Sequence, residues 1–221
     1  MRQAAHRTCG LIALIFVGAL DCCSQYRVLP GNLDADGLPT TSARICLGAA
    51  GTNHCYTPPS EKYAFGLEPK AETIGTRAGH DLILFTATFS GGGSGDLTNL
   101  AILEERGGEF ANLLPTVQLT NQSEYKLWNL PEISSFPILA TADFVWDFDA
   151  MKASNYSEET HFARRRYKIC VYIFDPQTRK YLQRIDFVTQ KKYPGLDEAD
   201  SIRVLDAERK AILAKLQPGP R

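Results

Sequence analysis

The sequence lacks an excess of charge of either sign. Its 221 residues include 24 Lys and Arg against 25 Asp and Glu, which gives a formal net charge of −1. Proteins that bind nucleic acids usually carry a strongly basic face, so this balance gives no reason to expect a nucleic-acid partner. The length suits a single domain with one sizeable core better than two small domains.

Long hydrophobic runs are also missing beyond the N-terminus. Residues 11–20 are continuously apolar or small, and Arg2 and Arg7 precede them. This is the layout of a secretory signal peptide, and the apolar run is about half of the ~20 residues that a membrane-spanning helix needs. We therefore predict a leader over residues 1–24 and one exported, β-rich domain over residues 25–221.

The end of the leader leaves two alternatives open. Residues 17–19 and 22–24 both offer the small residues that signal-peptide cleavage requires. Residues 20–23 (Leu-Asp-Cys-Cys) are also similar to a degenerate bacterial lipoprotein box, although Asp21 stands where that box has a small or apolar residue. The expected location is therefore periplasmic, secreted or lipid-anchored to a bacterial envelope.

Cysteine is scarce, with six residues in the chain. Three of them lie in or beside the leader: Cys9, Cys22 and Cys23. Cys46 and Cys55 are close in sequence across a turn that contains Gly and Asn, so we predict a disulfide bond between them in an exported protein. Cys170 is then a free thiol that behaves as a small buried hydrophobe. A zinc site made by Cys46 and Cys55 with His54 and His80 does not fit the usual ligand spacing.

The clearest structural signal is a hairpin near the C-terminal third of the chain. Residues 167–174 and 181–188 are rich in β-branched and aromatic residues, and Asp175-Pro176 supplies turn chemistry between them. In the first arm, both sets of alternating side chains are apolar: Ile169, Val171 and Ile173 on one face, and Cys170, Tyr172 and Phe174 on the other. This pattern predicts a strand inside a sheet that is covered on both sides.

Other segments extend the β pattern. Further strands are predicted at residues 43–47 with Tyr56, 81–89, 97–105, 110–119, 124–127 and 138–146. A helix over residues 97–106 is an alternative for one of them. Residues 206–216 carry an apolar stripe of helical period and precede Pro218, which predicts a C-terminal helix. The fold class is therefore mainly antiparallel β, sandwich-like or barrel-like, with one C-terminal helix.

One loop has the residue types of a calcium site. Asn32, Asp34 and Asp36 alternate and are followed by Gly37, which places oxygen ligands at positions 1, 3 and 5 and a sharp turn at position 6. Ala43 stands where an EF-hand has its bidentate Glu. Residues 32–48 resemble the Asp-rich calcium loop of exported β-repeat proteins of the FG-GAP and VCBS type. The resemblance implies calcium as a cofactor; the alternative is an Asx-rich surface turn.

Two aspartates near a predicted strand end are the first catalytic candidates. Asp147 and Asp149 follow Trp146, and residues two apart on an extended strand have Cα atoms about 6.6 Å apart. Inverting glycosidases separate their two carboxyl groups by roughly 6.5–9.5 Å. Trp146 and Phe148 are placed to stack on a sugar ring. The alternative is that both aspartates belong to a solvated turn.

Two further groups have residue types suited to catalysis. One is an acid–base group of Glu158, Glu159 and His161. The other is a Ser/His/Asp set: His80 and Asp81 with Ser90 and Ser94. Residues 90–95 themselves match neither a phosphate-binding loop nor a nucleophile elbow, and they predict a wide glycine turn.

Charge is distributed unevenly along the chain. Residues 164–192 hold nine Lys and Arg against two acids, whereas residues 96–159 hold eleven acids against three bases. The candidate anionic-partner patch on the hairpin is Arg164, Arg165, Arg166, Lys168, Arg179 and Lys180. Such a patch would attract an anionic envelope polymer or an acidic protein face. The alternative is that these charges protect a sheet edge from aggregation.

These observations favour an exported, non-catalytic binding or structural module of a bacterial envelope. The alternative is an exported hydrolase that acts on a glycan or an ester with acids in residues 143–161. The two interpretations differ in geometry, because a hydrolase requires Asp147, Asp149, Glu158 and His161 to converge near Trp146.

Overall fold

The computed structural model describes residues 26–48, 54–60, 62–77, 79–91, 96–153, 155, 164–194 and 203–217. The predicted leader lies outside these ranges. Within them, the early strands are β1 (Tyr26–Leu29), β2 (Arg44–Leu47), β3 (Cys55–Tyr56), β4 (Leu67–Arg77), β5 (His80–Phe89) and β6 (Leu97–Arg106). The later strands are β7 (Glu109–Asn112), β8 (Val117–Thr120), β9 (Glu124–Trp128), β10 (Ile138–Phe144), β11 (Tyr167–Asp175) and β12 (Lys180–Val188). The helices are α1 (Phe148–Ala153) and α2 (Val204–Leu216).

The strands form three antiparallel sheets, which confirms the mainly antiparallel β prediction. Sheet 1 has the order β1-β2-β3. Sheet 2 has the order β4-β5-β6-β7, and β8 pairs with the other half of β6. Sheet 3 has the order β12-β11-β10-β9.

Sheets 2 and 3 pack face to face over a shared apolar core. Sheet 2 contributes a set of aliphatic side chains that includes Leu82, Leu84, Leu100 and Ile102. Sheet 3 contributes Leu139, Tyr172, Phe174 and Tyr181 to the same core. Burying these side chains against one another removes apolar surface from water, which is the dominant favourable term in folding.

Each large sheet also buries its outer face. Sheet 1 covers sheet 2, where Ala43 and Ile45 meet Ile83, Phe85 and Leu103. Helix α2 covers sheet 3, where its buried residues pack against a second set of strand side chains: Ile138, Ala140, Ala142, Ile169 and Val171. The domain is therefore a sandwich of four layers, in the order α2, sheet 3, sheet 2 and sheet 1.

Strand β11 confirms the hairpin prediction in detail. It lies between β10 and β12, and its alternating side chains enter the two different cores on either side of sheet 3. The pairing with β12 shifts register between Val171 and Tyr172, which leaves one extra residue, Arg184, on β12. A bulge of this kind bends an edge strand and makes it a poorer template for pairing with another chain.

The alternative helix over residues 97–106 is wrong, because this segment is strand β6. Leu100 and Ile102 enter the core between the large sheets, while Ala101 and Leu103 enter the core under sheet 1. Successive side chains of a strand point to opposite faces, so an extended chain can place these two sets in the two cores on either side of sheet 2. The hairpin that follows turns at Gly107 and Gly108, whose φ angles of 62° and 85° favour glycine.

The predicted strand over residues 110–119 is interrupted. Strand β7 ends at Asn112, and β8 begins at Val117. Between them, the Asn112 side chain accepts a hydrogen bond from the amide of Leu114 at 3.1 Å, and Pro115 follows. Because proline has no amide hydrogen for a sheet ladder, the chain changes its pairing position along β6 at this point.

Strand β4 is the longest element that the sequence patterns did not predict. Its 11 residues include Pro69 and Gly75, and its pairing with β5 is irregular between Leu67 and Lys70 and again between Thr73 and Gly75. Proline and glycine in a strand belong at edges and bulges, and β4 is an edge strand of sheet 2. The neighbour β5, and not the propensity of β4 itself, holds this segment extended.

Helix α2 confirms the predicted C-terminal helix and starts two residues earlier than expected. Its N-cap residue, Arg203, makes no side-chain cap hydrogen bond. Instead, the amide of Leu205 donates to the carboxylate of Glu124 on β9. Glu124 therefore satisfies one of the unpaired amides of the first helical turn from a neighbouring sheet.

We expect Glu124→Ala to destabilise the domain by about 1–3 kcal/mol, because it leaves the buried Leu205 amide without an acceptor. Glu124→Gln keeps an acceptor oxygen and is expected to cost less. Burial raises the pKa of Glu124, against the lowering effects of the Leu205 amide and of Lys126 and Arg203. The free energy of unfolding at several pH values measures both effects.

The sign of the pH effect follows from the raised pKa. The folded state then binds the Glu124 proton more tightly than the unfolded state, so this group's contribution is fully present below the unfolded pKa of about 4.3. The contribution is lost as the pH rises through the folded pKa. Glu124→Gln should therefore lose less stability than the wild type between about pH 4 and pH 7. An identical pH dependence in the two proteins would contradict the assignment.

Candidate functional site

Three chain segments meet at one end of sheet 3. Beyond the end of β10, the amide of Val145 donates to the carbonyl of Arg166 at 3.0 Å. The amides and carbonyls of Arg165 and Tyr193 form a reciprocal pair at 3.0 and 2.8 Å. The end of β10, the residues before β11 and the residues after β12 are therefore held side by side.

These segments line a pocket of about 420 Å³, which we call the Trp146 pocket. Its lining consists of Val145, Trp146, Asp147, Asp149, Arg165, Arg166 and Lys192. Three cationic and two acidic side chains thus surround one indole. A pocket with an aromatic wall and a few convergent polar groups is the usual form of a small-ligand site.

A hydrogen-bond network fixes the indole of Trp146. Its Nε1 donates to Thr120 Oγ1 at 3.1 Å, and the Thr120 hydroxyl donates to the Asp143 carboxylate at 2.9 Å. The same carboxylate accepts from Ser123 Oγ at 2.7 Å, and Ser123 Oγ accepts from the amide of Phe144 at 2.9 Å. The Trp146 ring also meets the Phe144 ring at 4.7 Å between centroids.

This network was not predicted from the sequence. The partners of Asp143 are Thr120, the last residue of β8, and Ser123, in the turn before β9, and the pairing of β9 with β10 brings both to Asp143. The result is an indole with a set orientation, which lowers the entropic cost of stacking on a ligand.

The predicted geometry of Asp147 and Asp149 is corrected by the structure. Strand β10 ends at Phe144, and Asp149 lies in the first turn of α1, so the separation expected for an extended strand does not apply. An acidic residue in the first turn and Lys152 in the last turn both suit the helix dipole. Both aspartates nevertheless line the Trp146 pocket. Glu158 and His161 lie outside the described residues, and their catalytic role stays a prediction.

The Ser/His/Asp group does not assemble around Ser90. His80 and Ser90 stand at opposite ends of the 10-residue strand β5, and their backbones are therefore separated by about 30 Å. Asp81 accepts a hydrogen bond from Thr76 at 3.1 Å, and Ser90 donates to Asp96 at 2.7 Å. Ser94 lies outside the described residues.

The six residues of the candidate anionic-partner patch occupy two ends of the hairpin. Arg164, Arg165 and Arg166 precede β11, whereas Arg179 and Lys180 follow its turn, about 30 Å away along the strand. The patch is therefore not one continuous surface. Only the end that precedes β11 adjoins the Trp146 pocket.

The other three cations of the patch have partners within the fold. Lys180 Nζ donates to the carbonyl of Asn112 at 2.5 Å, and Arg179 lies 3.8 Å from the buried carboxylate of Glu104. Lys168 lies 3.4 Å from Asp186 on the neighbouring strand. These contacts account for Lys168 near the start of β11 and for Arg179 and Lys180 at the turn without an external partner.

Comparison with protein-family models, with curated proteins and with solved structures gave no match. The resemblance of residues 32–48 to FG-GAP and VCBS-type loops is neither supported nor contradicted by this result.

The Asp-rich loop closes on itself as an Asx turn. Asp34 Oδ1 accepts hydrogen bonds from the amides of Asp36 at 3.0 Å and Leu38 at 2.8 Å. The carbonyl of Asn32 accepts from the amide of Thr40 at 2.7 Å. Among the described residues, no group of three or more His, Cys, Asp or Glu is arranged to hold a metal. Calcium binding by Asn32, Asp34 and Asp36 stays a prediction.

The cysteine prediction is confirmed where the structure describes it. Cys46 and Cys55 lie directly opposite each other on β2 and β3 and form a disulfide bond. Cys170 is a buried free thiol, and burial raises its pKa. A raised pKa lowers the thiolate fraction, so Cys170 is unsuited to a nucleophilic role.

In the described part of the chain, no helix combines the length and the apolar character that a membrane crossing requires.

Proposed function

We propose that the processed chain is an exported, non-catalytic module of a bacterial envelope that binds an anionic polymer in the Trp146 pocket. The observation that carries this proposal is the convergence of Arg165, Arg166 and Lys192 on one pocket with an anchored indole. These cations come from two separate segments, so their meeting is a property of the fold and not of local composition. The predicted leader and the disulfide bond are compatible with export.

The chemistry of the pocket favours an acidic glycan as the polymer. The planar fork of an arginine binds a carboxylate through two parallel hydrogen bonds, and a lysine adds a point charge. The half-buried indole presents an apolar ring face, because its N–H already donates to Thr120. Asp147 and Asp149 would accept hydrogen bonds from sugar hydroxyl groups. A chain of uronic acid sugars carries all three features: carboxylates, apolar ring faces and hydroxyls.

A fluorescence titration with oligogalacturonate tests the proposal. The chain has two tryptophans, and Trp128 is replaced with Phe so that Trp146 alone reports binding. We expect saturable quenching, and we expect Arg166→Gln with Lys192→Gln to weaken the affinity about tenfold or more. The matched control is Lys62→Gln with Lys70→Gln, which removes the same charge from exposed positions elsewhere.

Three outcomes of this titration contradict the proposal. Quenching that is absent at low salt would exclude an acidic glycan from this pocket. Equal weakening by the two double variants would indicate attraction to overall charge only. Loss of binding at about 0.5 M salt in the wild type, where screening is nearly complete, would argue for the same nonspecific effect.

The alternative function, an exported hydrolase of glycans or esters, is favoured by one observation. Asp147 and Asp149 line the same pocket as the indole, as a pair of catalytic carboxyl groups would. The same oligogalacturonate, assayed for new reducing ends, separates the two functions. Chain cleavage that disappears in Asp147→Asn and in Asp149→Asn, with binding retained, would replace the binding proposal with the enzymatic one.

A further inference from the structure

A second groove lies between helix α2 and the edge strand β12. Its volume is about 760 Å³, and Phe187, Ala211 and Ala214 contribute to its apolar wall. Lysines stand around it at positions 191, 210 and 215. The groove is separate from the Trp146 pocket, because the adjacent lysines Lys191 and Lys192 line different cavities.

Small side chains on the helix keep this groove open. Helix α2 packs its buried residues Val204, Leu205 and Ile212 against sheet 3. On the side toward β12, the helix presents alanines, which are too short to reach the strand. Phe187, which pairs with Ile169 and faces the helix, is only partly buried. Apolar surface in a concave site gains free energy when a hydrocarbon covers it.

The charge around the groove is positive. Its acidic member, Glu208, accepts a hydrogen bond from the hydroxyl of Tyr193 and is engaged within the fold. Lys215 Nζ lies 5.1 Å from the centre of the Phe187 ring, so its ammonium stands directly over the apolar wall. A ligand that suits this arrangement has an apolar body and one negative end.

We propose that the groove between α2 and β12 binds a long-chain fatty acid, with its hydrocarbon chain along Phe187 and the alanines of α2 and its carboxylate among the lysines. A peptide suits the groove less well, because the amides and carbonyls that it lays along Phe187 and the alanines would leave water without a partner. A hydrocarbon chain has no such groups. This site is independent of the function proposed for the Trp146 pocket.

Titration of the exported chain with palmitate tests the inference. Each methylene that leaves water should strengthen binding about fourfold, so palmitate should bind far more tightly than octanoate. Hexadecanol, which has the same chain without the charge, should bind about tenfold more weakly than palmitate. Lys191→Gln with Lys215→Gln should weaken palmitate binding about tenfold and leave hexadecanol unchanged.

A blocking variant locates the site. Ala211→Trp fills the groove from an exposed helical position and should weaken palmitate binding about tenfold or more. The matched control is Ala153→Trp, an exposed alanine on the other helix, which should leave the affinity unchanged. Melting curves of both variants verify that the fold is retained.

Specific results overturn the inference. The inference fails if palmitate does not bind, if palmitate and hexadecanol bind with equal affinity, or if Ala211→Trp binds palmitate as tightly as the wild type. Arg166→Gln with Lys192→Gln should leave palmitate binding intact, which distinguishes a failure here from a failure at the Trp146 pocket.

Discussion

Tyr167→Ala is expected to destabilise the domain by about 3–5 kcal/mol, the usual cost of removing a large buried ring. The side chain is fully buried at the start of β11. Its ring packs edge-on against Phe144 at 5.2 Å and against Tyr193 at 6.2 Å. The ring therefore joins three segments: the end of β10, the start of β11 and the segment after β12.

The hydroxyl of Tyr167 adds a smaller and separable contribution. It lies 3.1 Å from the carbonyl of Gln122 and 3.3 Å from that of Pro194, so it can donate to either. Tyr167→Phe keeps the ring and leaves a buried carbonyl unpaired, for an expected cost of about 1–2 kcal/mol. Urea unfolding of the three proteins measures both steps. Equal stability of the Phe and Ala variants would show that the ring contacts do not hold these segments together.

Replacing both Cys46 and Cys55 with alanine is expected to cost about 3 kcal/mol. The two residues are 9 positions apart in sequence, and closing a loop of about this length restricts the unfolded chain by that amount in the chain-entropy model. Sheet 1 has few other restraints, because β3 consists of two residues. The loss should therefore concentrate in sheet 1, and hydrogen exchange at residues 44–47 should accelerate more than exchange in sheet 3.

Reducing agent provides an independent measure of the disulfide contribution. It should lower the stability of the wild type to that of the double-alanine variant and leave that variant unchanged. Cys170→Ala is the control, because this buried thiol has no disulfide and its replacement should preserve the response to reductant. Equal unfolding free energies of the wild type with and without reductant would contradict the predicted contribution.

Much of the fold was predictable because its central strands are covered on both faces. Strands β10 and β11 have apolar residues at nearly every position, and the two-residue alternation then assigns each side chain to one of two cores. Strand β4 has no such signal, because an edge strand with Pro69 and Gly75 depends on its neighbour. Helix α1 was missed for a related reason: six residues directly after a strand are too few to show a helical period.

The candidate site was predictable only in part. Trp146, Asp147, Arg165 and Arg166 could be singled out by residue type. That they share one pocket depends on the pairing of Arg165 with Tyr193, a contact between segments that β11 and β12 separate. Counting charges along the chain gives no information about such contacts. The predicted anionic-partner patch therefore combined residues from two distant ends of the hairpin. The groove beside α2 left no sequence signal, because its decisive residues are alanines.

The layered arrangement has a consequence for how the chain tolerates shortening. The two outermost layers are built from the first and the last described segments, whereas the paired sheets come from the middle. Deleting either flank would strip the cover from a whole β surface and leave its aliphatic side chains in water. Fragments that lack either flank should therefore aggregate more readily than the whole chain, and the aggregation should begin at the uncovered sheet.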